Sequence, residues 1–197
     1  MSREKSLISI VEAAVRGGVT CVQLREKNCG TGEFIELALS IHNFLKKKRI
    51  PLIINDRIDV ALAVKAEGVH LGQSDMPLSL ARSIVKDSMI IGISAESLQD
   101  AVEAEKGGAD YIGVSPIFAT PTKTDTAEPL GLAGLTRIKQ AVKIPLVGIG
   151  GLNINNAGDV IRCGGDGVAV VSAIVSAYDP EKAARELKNV ISKAGKS

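Results

Sequence analysis

The sequence predicts an α/β fold, a (βα)₈ TIM-type barrel that lacks the first strand at the N-terminus. Three observations lead to this prediction. A unit of helix, glycine and short apolar run recurs along the chain, about seven apolar runs alternate with helical sequence, and polar residues follow nearly every run. A barrel brings all of its strand ends to one mouth, so polar groups at every strand end favour a barrel over an open sheet.

The repeated units can be placed in chain order. The first helix covers 7–15 with Ser6 as its cap, and the polar residues 1–5 before it provide no opening strand. In each later unit a glycine can adopt the left-handed conformation that ends a helix, and the following apolar run needs burial on both faces. The helix-and-strand pairs are 11–18 with 21–24, 61–68 with 69–71, 101–108 with 111–114 and 160–165 with 168–171, and the other strands are 52–54, 90–93 and 146–149. A barrel short of one strand would leave two unpaired edges.

Length and composition narrow the class of protein. A chain of 197 residues fits a single domain, 1–197, and a content of 45% hydrophobic and 23% charged residues is that of a soluble globular protein. A net charge of +2 gives no reason to expect a nucleic acid partner, and no apolar run approaches the ~20 residues of a membrane span. Three cysteines without metal-like spacing suggest free thiols in a reducing compartment, the cytoplasm. The sequence leaves a homo-oligomer open.

Two carboxylates follow successive predicted strands. Asp56 comes directly after 52–54, and Asp75 follows 69–71 by a short loop. Neighbouring loops of a barrel would bring them together, and two carboxylates with open water positions suit Mg²⁺. The alternative for each is a helix N-cap. His42 and His70 are isolated in the sequence, so neither suggests a metal cluster.

Cationic and hydroxyl side chains indicate sites for anions. Arg25 and Lys27 alternate along an extended segment and could face the same side. The strand 111–114 leads into a loop in which Thr120 and Thr122 offer hydroxyls and Lys123 offers a positive charge. The alternatives are a surface ion pair of Arg25 with Glu26 or another acid and an ordinary surface loop.

Glycines near the end of the chain suggest a phosphate-binding cup. Gly150 and Gly151 follow one strand, and Val171 and Ser172 end the last one. In barrels the loops after the last two strands often bind phosphate through backbone N–H groups, although tight turns alone would also use glycine. One anion pocket would combine Arg25, Lys27, Asn55 and Lys123 with the metal, and the other would combine Gly151, Val171 and Ser172 with Thr120 and Thr122. Two pockets suggest two phosphorylated substrates, or one substrate with two ends.

Seven short segments, spread in order over nearly the whole chain, resemble the thiamine phosphate synthase family. They are 22–27, 54–57, 68–75, 92–94, 110–125, 147–151 and 168–172. The resemblance implies a (βα)₈ barrel that joins a hydroxymethylpyrimidine diphosphate to a thiazole phosphate and releases pyrophosphate. Dissociative departure of the diphosphate would leave little acid–base work for the protein.

Matching positions then imply a role for each candidate residue. Gln23, Arg25, Lys27, Asn55, Ser94 and Lys123 resemble binders of the pyrimidine diphosphate. Asp56 and Asp75 resemble the Mg²⁺ ligands. Thr120, Thr122, Gly151, Val171 and Ser172 resemble the thiazole phosphate pocket.

Two departures from the family pattern keep alternatives open. The family's first strand, which carries a Thr-Asp pair, has no counterpart, and Ala95-Glu96 follows Ser94 where many members carry a histidine. One alternative is a thiazole tautomerase-like isomerase, and another is a non-catalytic barrel that binds a phosphate ligand. The intact diphosphate-binding set favours the synthase over both.

Overall fold

A computed structural model of the chain describes residues 6–119 and 128–196. Helices and strands alternate along these residues as predicted, except that the last two helices follow one another directly. The strands are β1 Val22–Leu24, β2 Leu52–Asn55, β3 Gly68–Leu71, β4 Ile90–Ala95, β5 Tyr111–Val114, β6 Leu146–Ile149 and β7 Gly167–Ala169. The helices are α1 Leu7–Arg16, α2 Thr31–Lys48, α3 Ile58–Val64, α4 Leu78–Val85, α5 Leu98–Lys106, α6 Gly131–Ala141, α7 Ala157–Arg162, α8 Ser172–Val175 and α9 Pro180–Ala194. No helix in these residues is both long and apolar enough to cross a membrane.

The strands form one parallel sheet in the order of the chain, β1 to β7. The register pairs Asn55 of β2 with His70 of β3, and Ser94 of β4 with Gly113 of β5. Within the described residues, β1 and β7 each pair with one neighbour only. The predicted seven-stranded parallel sheet with two unpaired edges is therefore confirmed.

The first and last long helices are neighbours. Arg16 at the end of α1 donates to Glu181 of α9 over 2.8 Å. A side chain at Gly17 would lie only 2.4 Å from the Glu181 carbonyl oxygen, so the two helices approach closely at this glycine. Ala14, Ile174 and Leu187 bury a second apolar cluster along the same seam. The layer of helices thus joins its two ends although the sheet does not.

Local sequence explains where the elements begin and end. The predicted Ser6 cap is confirmed, because its side chain accepts from the Ser9 amide over 3.3 Å. The predicted end of the last strand at Val171 is wrong, since β7 ends at Ala169 and α8 begins at Ser172. The apolar run continues past the point at which the chain leaves the sheet, so hydrophobicity alone could not mark that point.

The core lies between the sheet and its helices. Phe34, Ile41 and Leu45 form the buried face of α2 at the spacing of a helix that packs against a sheet. Ile54 and Leu71 are fully buried in adjacent strands. These strand residues pack on the helices, and the alternate positions of several strands carry polar residues such as Gln23, His70 and Ser94.

A carboxylate fastens strand pairs at their amino ends. In three places an acidic residue just before one strand accepts the amide of the preceding strand, and each carboxylate also meets a basic side chain. The three sets are Glu67 with Leu52 (2.8 Å) and His42, Asp110 with Ile91 (2.7 Å) and Arg82, and Asp166 with Leu146 (2.9 Å) and Lys139. An unpaired amide at these positions would cost free energy, so the carboxylates stabilise the sheet from the end opposite to the candidate site.

Replacement of Asp166 by alanine should destabilise the fold by about 1–3 kcal/mol at pH 7, because the Leu146 amide loses its acceptor. Burial would raise the pKa of Asp166, but Lys139 and the Leu146 amide outweigh burial and lower it. Its contribution is therefore present above the ordinary carboxyl pKa of about 4 and is lost as the pH falls through the lowered folded value. Urea unfolding at pH 7 and pH 3 should show the difference from the parent chain shrinking in acid. The exposed Asp87→Ala variant should show no such loss, and equal stability of Asp166→Ala and the parent at pH 7 would contradict the assignment.

Candidate active site

The candidate site lies at the carboxyl ends of the strands. Because the strands are parallel and adjacent in chain order, the residues that follow them meet at one edge of the sheet. The structure places the described candidates there: Gln23, Arg25 and Lys27 in or after β1, Asn55 and Asp56 at the end of β2, Asp75 after β3, Ser94 in β4, Gly151 after β6, and Val171 and Ser172 where α8 begins. Thr120, Thr122 and Lys123 lie outside the described residues.

Lys27, Asp56 and Asp75 form a charged cluster in this mouth. The Lys27 Nζ lies 2.6 Å from the Asp56 Oδ2, and the Gly72 amide donates to the Asp75 Oδ2 over 2.7 Å. Asp56 has a backbone φ of +61°, a left-handed conformation that Asp tolerates better than most residues. Its amide donates to the His70 carbonyl oxygen of the next strand. The backbone thus turns sharply at the end of β2 and aims the carboxylate at Lys27.

The two carboxyl groups have opposite pKa shifts. Burial would raise the pKa of Asp56, but a hydrogen bond from Asp75 and the charge of Lys27 lower it. Burial raises the pKa of Asp75, and the nearby Asp56 raises it further. Such a pair, close enough to share a proton, fits a divalent cation that would neutralise both groups. Within residues 6–119 and 128–196, no third His, Cys, Asp or Glu joins them, so Mg²⁺ would complete its shell with water and substrate oxygens.

Arg25 is exposed beside this cluster. Its charge lowers the pKa of Asp56, so the guanidinium lies within electrostatic reach of the mouth. The predicted alternative, an ion pair of Arg25 with Glu26, is not what the structure shows for the Glu26 carboxylate. One Glu26 oxygen instead accepts the amides of Lys27 and Asn28 over 2.7 and 2.8 Å. This turn holds the segment after β1 in shape, and Arg25 stays exposed.

Ser94 is held by partners on two sides. The Gln73 amide donates to the Ser94 carbonyl oxygen over 2.5 Å. The Ser94 hydroxyl lies 2.9 Å from the Nε2 atom of His70, whose Nδ1 atom lies 2.8 Å from the Tyr111 hydroxyl. The sequence interpretation missed His70 and Tyr111 as parts of the site. The available signal was that His70 lies in a strand just ahead of the Gln73–Asp75 loop, where a buried polar ring needs partners.

The glycine turn that the sequence predicts to bind phosphate has a close approach between two backbone segments. Gly151 has φ +64°, and a side chain there would lie 2.7 Å from the Ala119 carbonyl oxygen. The Phe118 amide donates to the Gly150 carbonyl oxygen, which fastens the segment after β5 against the end of β6. Any residue larger than glycine at 151 would push this segment away. The structure therefore brings the residues that precede Thr120 beside Gly151.

These features define a parallel α/β protein whose strand-end mouth brings together cationic side chains, a pair of carboxyl groups and a glycine turn. The sequence profile described as thiamine monophosphate synthase matches residues 1–174, and the chain belongs to this family. It is 52% identical over 192 residues to a thiamine-phosphate synthase of Chloroflexus aurantiacus, covering 98% of this chain and 88% of that protein. It is 53% identical over 187 residues to the thiamine-phosphate synthase of Albidiferax ferrireducens, covering 95% and 85%. A solved thiamine phosphate pyrophosphorylase from Pyrococcus furiosus superposes with a TM-score of 0.91 at 42% identity, covering 98% and 92%.

Proposed function

We propose that this chain condenses 4-amino-5-hydroxymethyl-2-methylpyrimidine diphosphate with 4-methyl-5-(2-hydroxyethyl)thiazole phosphate to give thiamine phosphate and pyrophosphate. The observation that carries the proposal is the cluster of Lys27, Asp56 and Asp75 with Arg25 beside it, since cations next to paired carboxylates suit a diphosphate and its metal. Relatives at about half identity over nearly the whole chain are named for the same reaction product.

The first half of the mouth would bind the pyrimidine diphosphate. Arg25 and Lys27 would hold the diphosphate oxygens, Asn55 and Gln23 would orient the substrate, and Ser94 would contact the pyrimidine ring. We assign Lys123 to the same pocket from its place in the sequence. These groups bind and orient, and they stabilise charge as it develops on the leaving diphosphate. No side chain is needed as a general acid or base.

Asp56 and Asp75 would hold the Mg²⁺ cofactor. The two carboxylates fit this ion by charge and by number, as their opposed pKa shifts indicate. A bound Mg²⁺ would supply charge neutralisation of the departing pyrophosphate. Lys27 would keep Asp56 ionised until the ion arrives, because its ammonium group favours the carboxylate form.

The second half of the mouth would bind the thiazole phosphate. Gly151 would let backbone N–H groups approach the phosphate, with Val171 and Ser172 on the other side and the hydroxyls of Thr120 and Thr122 closing the pocket. This arrangement puts the thiazole nitrogen next to the pyrimidine methylene. The C–O bond to the diphosphate would break first, with its electron pair leaving on pyrophosphate, and the thiazole nitrogen would then form the C–N bond to the pyrimidine methylene.

We infer that the fold is a (βα)₈ barrel in which one further strand would lie between the edges of β1 and β7. The contact of α1 with α9 supports this, because it joins the two ends of the helical layer. The chain would act as a single domain in the cytoplasm, where its cysteines, unpaired in the described structure, stay reduced. A homo-oligomer and the absence of a nucleic acid partner remain predictions. The relatives do not favour the isomerase or the non-catalytic alternative.

Supplying the two substrates separately and together tests the reaction. Chromatography should detect thiamine phosphate only when both are present with Mg²⁺. Conversion of the thiazole phosphate alone into an isomer would support the tautomerase-like alternative. Binding of both substrates by folded protein without any product would support the non-catalytic alternative.

Replacement of Gly151 by valine should raise the KM for the thiazole phosphate by roughly 10–100-fold. The left-handed backbone and the nearby Ala119 carbonyl oxygen leave no room for a branched side chain, so the phosphate cup must open. The KM for the pyrimidine diphosphate should change far less. The matched control is Gly32→Val on α2, where nothing lies within 4 Å of an added Cβ. Equal KM changes for both substrates would contradict this placement of the thiazole phosphate.

A further inference from the structure

A hydrogen-bonded series of polar side chains extends through the interior of the sheet toward the strand-end mouth. Tyr111 of β5 meets the Nδ1 atom of His70 of β3 at 2.8 Å, and the Nε2 atom of His70 meets the Ser94 hydroxyl of β4 at 2.9 Å. His70 is only 3% exposed, so neither ring nitrogen can rely on bulk water. Residues of three adjacent strands thus link a buried phenol to a hydroxyl of the proposed pyrimidine pocket.

Two glycines leave the space that the rings of this hydrogen-bonded series occupy. A Cβ at Gly92 would lie 2.0 Å from the Tyr111 ring, and one at Gly113 would lie 2.9 Å from the His70 ring. The Tyr111 and His70 rings lie 5.4 Å apart between centroids and fill the room that the missing side chains leave. The rings therefore have little freedom to turn away from each other.

The position of one proton decides what Ser94 can offer to a substrate. A neutral imidazole has one N–H donor and one acceptor nitrogen. If the Tyr111 hydroxyl donates to Nδ1, then the Nε2–H donates to the Ser94 oxygen, and the hydroxyl proton of Ser94 is free for the mouth. In the opposite arrangement the Ser94 hydroxyl must donate its hydrogen bond to Nε2. Ser94 can then only accept a hydrogen bond from a substrate.

Surrounding groups favour the first arrangement. Burial, and after it the neighbouring Cys21, raises the pKa of Tyr111, so the phenol keeps its proton. The protonated phenol has its O–H to donate, and His70 Nδ1, 2.8 Å from the phenol oxygen, is the acceptor within reach. The direction of donation then runs from Tyr111 through His70 to Ser94.

We propose that His70 is a positioning residue that carries its proton on Nε2 and thereby presents the Ser94 hydroxyl as a hydrogen-bond donor to a ring nitrogen of the pyrimidine. The ring nitrogens of an aminopyrimidine accept hydrogen bonds, whereas its amino group donates them, so a donor at Ser94 selects the ring nitrogen. The Gln73 amide supports this by fixing the Ser94 backbone. The substrate part of this inference rests on the proposed function, and the tautomer part does not.

Nitrogen-15 NMR of the histidine rings tests the tautomer directly. The chain has two histidines, so His42→Gln assigns both signals. At pH 8, above the ordinary imidazole pKa of about 6.5, His70 should show a protonated Nε2 and a bare Nδ1. His42 provides the contrast, because its Nδ1 faces the Val64 carbonyl oxygen and must carry a proton. A protonated Nδ1 with a bare Nε2 at His70 would overturn the proposal.

Binding of the pyrimidine diphosphate tests the consequence. Tyr111→Phe removes the donor to His70 and should weaken binding by roughly tenfold, the effect of one lost hydrogen bond of about 1.4 kcal/mol. In a Ser94→Ala background the same change should have almost no effect, because the hydroxyl it directs is gone. A pyridine analogue that lacks the accepting nitrogen should bind the parent and Tyr111→Phe equally.

The outcomes separate the two proposals. Equal losses from Tyr111→Phe with and without Ser94 would overturn the positioning role, since they would indicate a structural effect alone. His42→Gln is the matched control, a buried histidine on α2 whose loss should lower stability without changing this affinity. Absence of pyrimidine diphosphate binding in the parent chain would reject the proposed function and the substrate part of this inference, while the NMR result would still decide the tautomer.

Discussion

Replacement of Asp75 by alanine should lower turnover by about a thousandfold while the thiazole phosphate still binds. The carboxyl group lies beside Asp56, and its loss would leave only one of the two carboxylates that we propose as Mg²⁺ ligands. A metal ion contributes several kcal/mol to stabilising a departing diphosphate, and each 1.36 kcal/mol is a factor of ten in rate. Steady-state turnover at saturating Mg²⁺ gives the rate, and calorimetry gives the affinity for the thiazole phosphate.

The control for this change is Asp87→Ala, which removes an exposed carboxylate at the amino end of β4, away from the strand-end mouth. It should leave turnover unchanged. Turnover of Asp75→Ala within tenfold of the parent would contradict the metal assignment. Loss of thiazole phosphate binding together with turnover would instead indicate that Asp75 holds the fold of the mouth.

Replacement of Arg25 by alanine should raise the KM for the pyrimidine diphosphate by roughly 10–100-fold. A hydrogen bond to a charged group contributes about 1.5–3 kcal/mol, and Arg25 is the exposed cation whose field reaches Asp56 together with that of Lys27. Arg25→Lys should recover part of the affinity, since lysine keeps the charge and loses the planar fork. Kinetics with each substrate varied in turn would measure both KM values.

The matched control is Arg137→Ala, an exposed arginine on α6 with no assigned role. Both KM values should stay at the parent level in that variant. An unchanged KM for the pyrimidine diphosphate in Arg25→Ala would contradict the first anion pocket. A rise in the KM for the thiazole phosphate alone would indicate that the two substrates bind in the opposite pockets.

The strand order and the strand-end position of the site follow from local sequence. Glycines after helices such as 101–108 and short apolar runs such as 111–114 define a repeat, and a repeat of parallel units leaves few ways to arrange a sheet. Polar residues after each run, such as Asn55 and Asp56, must then meet at one edge. Because these features are local, a single sequence is sufficient to predict them.

Contacts across strands could not be predicted in the same way. His70 looks isolated in the chain, and its partners Ser94 and Tyr111 lie 24 and 41 residues away. Pairing them requires the register of three strands, which depends on packing of the whole sheet. The carboxylates that accept strand amides left only a weak signal in the sequence. Asp110 and Asp166 each stand directly before a strand, but the amides they accept belong to other strands.

We propose that the chain catalyses a metal-dependent condensation at the mouth formed by the strand ends. The most direct measurement follows thiamine phosphate and pyrophosphate in one reaction that contains both substrates, first with Mg²⁺, then after EDTA, then after excess Mg²⁺. We predict that the two products form in equal amounts, stop forming in EDTA and resume when Mg²⁺ is restored. Folded protein that makes no thiamine phosphate with Mg²⁺ present, or that makes it undiminished in EDTA, would contradict the claim.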